Sequence, residues 1–358
     1  MRTETVATFW RACWSGPVSA TVSVLLLAVL LPGLWVCLDW GVLQAVWRPD
    51  LAACEAARGI GACWGVIAEK HSLILWGRYP FEQQWRPMLA SLIMVALVAH
   101  TARPSSWTRR WAGVWAVAAL VVWVLMAGRL GSLHLTAIGL PPVATDLWGG
   151  LALTLMLAIV SIALAFPLSI ALALGRRSKL PILRSICAGL IELARGVPLV
   201  SVLFMASFMV PMLLPAGQSP DVLLRVVGAL TLFLAAYLAE VVRGGLQGVP
   251  VGQGLAATAL GLSPWQAHRE VLLPQALQNS LPALVNHFIG LFKDTSLVTI
   301  VSLYELSGAL SLALSGDADW RPYKIEAYLF IALIYFVFCF GLSSYSQRWQ
   351  QRLQHRTT

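Results

Sequence analysis

The chain has 358 residues, of which 58% are hydrophobic and only 11% charged, and its mean hydropathy is +0.75. Soluble domains carry roughly a quarter charged residues, so this composition excludes a soluble globular protein and describes a polytopic membrane protein. The net charge of +9 comes without a basic–aromatic groove pattern, so nucleic acid is excluded as well. Lys and Arg in such a chain set topology and anchor anionic headgroups.

A span needs about 20 mostly apolar residues. Candidates run, in chain order, near 19–38, 88–102, 112–130, 150–174, 186–214, 222–242, 281–302 and 325–346. The first is followed by no small-residue cleavage site and reads as a retained span rather than a removed signal peptide. Eight spans put both termini on the same side. The side follows from Lys and Arg in the short loops. Arg103, Arg109 and Arg110, then Arg176, Arg177, Lys179 and Arg184, share it with Arg2 and Arg11 at the head and Arg348, Arg352 and Arg356 at the tail. The opposite short loops hold little beyond Arg129, so both termini and the loop at 243–280 face the cytoplasm.

Between the first two spans lies an exported loop, 39–87, rich in Trp and Arg (Trp47, Trp64, Trp76, Trp85). It contains Cys54 and Cys63, which in an oxidising compartment close a disulfide or remain two free thiols. Cys13, Cys37, Cys187 and Cys339 fall in or beside spans, where a small apolar residue suffices. No cysteine or histidine spacing suits a metal. Gly139-Leu140-Pro141-Pro142 marks a rigid turn and a boundary. It divides a three-span part, 1–145, from a five-span part, 146–350, with a tail at 351–358.

The cytoplasmic loop 243–280 is too ordered in composition to be a linker. Gly254 to Leu262 (GLAATALGL) reads as a short helix of small residues with Gly261 as its C-cap glycine. Ser263-Pro264 starts a second helix, with Ser as N-cap and Pro at the first helical position. Trp265, Val271, Leu272 and Leu273 give it an apolar side before Pro274 stops it. Such a knob can dock in the groove of a soluble partner or lie on the lipid interface.

Charges inside spans are costly and imply a polar path or pairing. Glu192 and Arg195 stand three apart on one helix face, and Lys293-Asp294-Thr295-Ser296 interrupts the span at 281–302. These residues either line a midplane cavity that receives a zwitterion or satisfy one another and lock helix packing. Glu240 and Arg243 sit at the cytoplasmic edge, where they anchor the loop or, as the lesser alternative, contact substrate. There is no glycine-rich phosphate loop of the Walker type, so the chain cannot take energy from ATP by itself.

Four ordered motifs carry a resemblance. Glu192-Leu-Ala-Arg195-Gly196-Val-Pro198-Leu199 resembles the ELxRGxPL element of polar amino acid permeases. Ala236-Tyr237-Leu-Ala-Glu240-Val-Val-Arg243-Gly244-Gly245 is similar to their AYxAEVVRGG, and Lys293-Asp294-Thr295-Ser296-Leu297 to their KDTSL. The loop at 254–274 resembles the EAA loop of ABC importer permeases. The resemblance covers roughly 146–350, and the three extra N-terminal spans with GRYPFEQQWRP at 77–87 resemble the M-type permease of general L-amino acid importers.

The resemblance implies an all-α inner-membrane subunit with a five-helix type I importer core. It would move L-amino acids from periplasm to cytoplasm by alternating access. Its expected partners are an ATPase dimer that holds the ATP and Mg, a second homologous permease, a periplasmic amino-acid-binding protein and membrane lipid. The chain itself would perform no catalysis and bind no cofactor or metal. Contact with the ATPase falls to Gly254, Leu255, Ala256, Ala257, Gly261, Leu273 and Pro274, and the candidate substrate path to Glu192, Arg195, Lys293, Asp294, Thr295 and Ser296. One departure stands out: the family motif opens Glu-Ala-Ala, and this chain has Leu255-Ala256-Ala257. A gradient-driven carrier would share the embedded charges without needing the ordered loop. A membrane-embedded enzyme would need a nucleophile or metal cluster that the sequence lacks.

Overall fold

A computed structural model describes residues 2–101, 109–131, 133–215 and 217–357. Arg103 lies outside the described residues, as do the side chains of Arg2, Arg109, Arg110, Arg352 and Arg356. Among the described residues the chain is mainly α-helical, with one two-residue hairpin, Arg129–Leu130 against Leu133–His134.

Five helices are long and apolar enough to cross a bilayer: Pro17–Leu43, Gly150–Arg176, Val222–Gln247, Pro264–Val301 and Arg321–Gln351. They match five of the eight expected spans. The other three take different forms. The segment expected at 88–102 is the 17-residue helix Trp85–Thr101, and that at 112–130 is Arg109–Ala127 with an apolar stretch of Trp111–Ala127. At about 1.5 Å per residue, 17 residues reach roughly 25 Å, short of a full hydrocarbon core of about 30 Å. The third, 186–214, is not one helix. Pro181–Gly196 and Leu199–Leu213 meet at 104°, a broken span or a re-entrant element. Pro198 explains the break, because its ring forces the residue before it out of the helical region, and Val197 is extended (φ −109°, ψ 136°).

Contacts divide the chain into two compact units, 1–71 with 317–330 and 72–316 with 331–358. In the larger unit the helix Gly150–Arg176 packs along Val222–Gln247. Small residues make this possible: Ser161, Ala165, Ser169 and Ala173, each four apart, are fully buried, and a stripe of that kind lets helix backbones approach closely where lipid offers no hydrophobic drive. The facing helix supplies Leu230, Leu234, Leu238 and Val242. Its other side meets 264–301 at Gly245, where an added Cβ would lie 2.0 Å from Ser280 Oγ. Helix 181–196 crosses the end of 150–176 as closely, with Cys187 Sγ filling the place of a Gly175 side chain.

In the smaller unit Cys54 and Cys63 are disulfide-bonded. The Cys63 amide donates to Glu326 Oε1 at 3.0 Å, and Lys70 Nζ pairs with Asp317 at 2.7 Å. Trp64 stacks on Trp47 and donates to the Gly41 carbonyl at 2.7 Å. Of the two alternatives the sequence left open for Cys54 and Cys63, the disulfide is the one formed, and it sits in a hydrogen-bonded core.

Candidate functional site

The loop at 251–266 forms the expected knob, built almost entirely from local backbone chemistry. Helix Val251–Ala259 ends where Gly261 turns left-handed (φ 78°), and the Leu262 amide returns to the Ala257 carbonyl at 3.1 Å. An L side chain at such a φ costs about 1–2 kcal/mol, which is why the turn holds glycine. Ser263 then caps the next helix reciprocally: its Oγ accepts from the Gln266 amide at 3.3 Å, and Gln266 Oε1 accepts from the Ser263 amide at 2.9 Å. This capping box satisfies two amide donors that would otherwise be orphaned. Gln275 donates to Gln253 at 3.3 Å and fastens the first helix to the second.

Ala257 is buried against the second helix, while Leu255, Leu260 and Trp265 stay 67%, 82% and 65% exposed. Gly254 and Ala256 border this apolar face, with open space beside Gly254.

One expectation is corrected here. Pro274 does not stop the second helix, which continues from Pro264 to Val301. The turn just before the proline, Ala267–Leu272, is wider than α, and the Leu273 amide bonds five residues back to the His268 carbonyl. A wide turn of this kind accommodates a residue with no N–H and a ring that crowds the carbonyl four back. Leu273 is consequently mid-helix and packed against the core, and Pro274 is exposed on the helix surface.

The charged groups pair differently from the sequence expectation. Glu192 does not meet Arg195; its Oε1 takes Arg176 Nη2 at 3.0 Å. Arg195 lies 3.9 Å from Glu240 and over the Tyr237 ring at 5.5 Å. Glu240 is the hub. It accepts from Arg176 Nη1 at 2.7 Å and from Arg243 at 2.8 and 2.9 Å. Three helices of the chain, 150–176, 181–196 and 222–247, therefore converge on one carboxylate. Sequence spacing suggests only partners three and four apart, and Arg176 is 64 positions from Glu240.

Lys293 and Asp294 behave in the opposite way. The α-helical part of 264–301 ends at Asp294 and tightens to a 3-10 stretch from Thr295 to Val301. Thr295 is fully buried, with its hydroxyl donating to the Phe292 carbonyl at 2.8 Å. Ser296 is half-buried in the same turn. Among the described residues neither Lys293 nor Asp294 makes an ion pair or hydrogen bond through its side chain; Lys293 is exposed and Asp294 half-buried.

Three features escaped the sequence reading. Glu305 is fully buried and caps helix Leu306–Ser315, accepting from the Ser307 and Gly308 amides at 2.9 Å each and from Tyr335 at 2.9 Å. Thr154 approaches its second oxygen at 3.3 Å. Burial pushes this carboxyl above the usual range, against the pull of its donors. Arg86, also fully buried, donates to the Leu125 carbonyl at 2.5 Å and to Pro141 at 2.9 Å. It thereby neutralises carbonyls at the C-terminal end of helix 109–127. Beside it the Tyr79 hydroxyl, pushed up to about 12 by burial, donates to Met126. The third is a glycine crossing. Gly77, Gly149 and Gly150 bring three strands of backbone together with no room for a Cβ, which at Gly150 would lie 2.1 Å from the Leu75 carbonyl. Glycines before an apolar run were the available signal.

Among the described residues no group of three or more His, Cys, Asp or Glu side chains could hold a metal ion.

Residues 165–355 match the family model described as the binding-protein-dependent transport system inner membrane component. The chain is 44% identical to the inner membrane amino-acid ABC transporter permease protein YhdY of Escherichia coli K12, over 95% of this chain and 89% of that one. It is 34% identical to the glutamate/glutamine/aspartate/asparagine transport system permease protein BztC of Rhodobacter capsulatus, over 95% and 92%. Among solved structures, that of an amino acid ABC transporter with histidines aligns with a TM-score of 0.50 and 30% identity, covering 57% of this chain and 92% of that chain.

Proposed function

We infer what this chain does from one premise: it belongs to the family of binding-protein-dependent transport system inner membrane components. It is a membrane-spanning permease subunit of an amino-acid ABC transporter, and ATP hydrolysis belongs to a separate subunit. Within that role, it imports L-amino acids of broad range from periplasm to cytoplasm, with a second homologous permease completing the path. Counting the two shorter helices and the bent pair as crossings gives eight spans and places both termini in the cytoplasm. The disulfide at Cys54–Cys63 supports this orientation, since such bonds persist in oxidising compartments. It puts the 39–87 loop on the face where the binding protein delivers its cargo.

Transport proceeds by alternating access, the membrane helices rocking about a midplane site. The knob at 251–266 takes up the ATPase through its exposed apolar face. The observation that carries this reading is continuity. The second knob helix is the same helix that reaches Lys293 and Asp294, so a push on the knob needs no flexible joint to reach the membrane interior. There the unpartnered ammonium and carboxylate suit the two charges of a zwitterion, with Thr295 and Ser296 beside them. An amino acid carboxylate would meet Lys293 or Arg195, and its ammonium Asp294 or Glu192.

Affinity purification in mild detergent tests the reading. Recovery of a P-loop ATPase and a second permease, with ATP-dependent uptake after reconstitution, is the expected result. The chain alone, transporting in vesicles without ATP, would overturn it in favour of a gradient-driven carrier.

A further inference from the structure

Helix 181–196 is attached to the rest of the larger unit at its C-terminal end by charge. Its Glu192 reaches Arg176 at 3.0 Å and its Arg195 reaches Glu240 at 3.9 Å. Glu240 also binds Arg176 at 2.7 Å, so one carboxylate joins helices 150–176, 181–196 and 222–247. Without it three guanidiniums would face one another, with only the exposed Glu192 left to offset them. The next residues of the chain are the Gly196–Val197–Pro198 break, where direction changes by 104°.

On its other side helix 222–247 is fitted to the knob's long helix. Gly245, one turn after Glu240, rests against Ser280 and the Ala276 carbonyl with no space for a side chain, and Ser280 Oγ donates to the Val241 carbonyl at 3.2 Å. The knob's helix 264–301 thus meets helix 222–247 at Ser280 and Gly245, and that second helix carries Glu240 with its partners Arg176 and Arg195. Packed elements and charge networks of this kind carry coupling when they have two arrangements.

We propose that Glu240 is a positioning residue for transport: it clamps the end of helix 181–196 against helices 150–176 and 222–247, and displacement of the 251–266 knob reaches that end by loosening this clamp. The proposal rests on the coupling role of the knob given above. Glu240 acts on helix position and does not touch the transported molecule. Its loss therefore alters turnover and not affinity for cargo.

The experiment uses the complete transporter, purified with its ATPase and binding protein and reconstituted in vesicles. Uptake KM and Vmax are measured beside ATP hydrolysis with and without loaded binding protein, for Glu240→Gln, Glu240→Asp and Arg176→Gln. Glu240→Gln is expected to lower Vmax about tenfold with KM unchanged, a pattern that separates turnover from binding. It should also raise ATP hydrolysis in the absence of binding protein, because the clamp no longer resists the knob. Glu240→Asp, which keeps the charge, should recover much of the coupling. Arg176→Gln leaves Glu240 paired with Arg243, so it guards against a Glu240 variant that fails to insert, and it should shift both readouts in the same direction by less. A rise in KM at constant Vmax would overturn the proposal by placing Glu240 on the cargo. Unchanged coupling in all three inserted variants would overturn it by reducing the cluster to a membrane anchor. Absence of ATP-driven uptake in the unmodified complex would instead strike the transport reading beneath it.

Discussion

The segment around Cys54–Cys63 and the knob at 251–266 are both small ordered elements in a chain made mostly of long helices, and they are held together in opposite ways. The first is closed on itself. Cys54, Ala62, Cys63 and Val66 are fully buried, a covalent bond joins its ends, and distant residues Asp317 and Glu326 complete it. The second is held by a left-handed glycine and a capping box, and it leaves Leu255, Leu260 and Trp265 open. An element whose ends are joined by a covalent bond holds its shape without a cover. One that shapes its backbone precisely and leaves large side chains exposed is prepared for something else to cover them.

If that contrast is right, removing the staple should have the largest effect. Cys54→Ser with Cys63→Ser should destabilise the smaller unit by about 2–4 kcal/mol, as for other small disulfide-closed loops. Limited proteolysis within 39–71 should accelerate while cleavage at the knob is unchanged; equal acceleration at both sites would break the comparison. Gly261→Val comes next. A β-branched residue in the left-handed region costs about 1–2 kcal/mol or more, so ATPase stimulation should be lost while membrane insertion persists. Undiminished stimulation would count against a knob defined by its turn.

Leu255→Glu restores the acidic residue of the family motif on the exposed face in the middle of helix Val251–Ala259, beyond the first turn that the helix dipole favours. Association with the ATPase should strengthen or hold, and a complex that dissociates would show a different docking mode. The smallest effect concerns acid. The hydrogen bond from Lys70 holds the Asp317 carboxyl below the usual carboxylate range. Its contribution is therefore present above the unfolded carboxylate pKa and lost as pH falls through the lower folded value. Lys70→Gln should flatten that acid-side loss for the smaller unit, and an unchanged profile would remove the pair from its support.

The knob was legible because its signals are local: glycine, serine and proline at fixed offsets require particular turns. Family motifs led to the charged residues in the same manner. What the sequence hid was long-range or continuous. The pairing of Glu240 with Arg176 joins different helices, and the two carbons and rotatable bonds of a Glu side chain carry no record of that partner. Pro274 looked like a stop because a wide turn that absorbs a proline leaves no compositional mark. The break at Val197 could have been read from the Gly-Val-Pro tripeptide, whose last residue dictates the conformation before it. Arg86 and Glu305 were passed over because a buried charge looks like any other charge until the carbonyls and amides that solvate it are known.

The composition of the smaller unit bears on how the protein is made. Its pieces are 1–71 and 317–330, and the Cys63 amide waits for an acceptor 263 positions further on. A ribosome emits the staple early and Glu326 near the end. During nearly the whole of synthesis the first piece must therefore persist half-finished, with the disulfide keeping it in shape until the closing segment arrives. The covalent bond acts as a placeholder in time as well as a brace in the finished molecule.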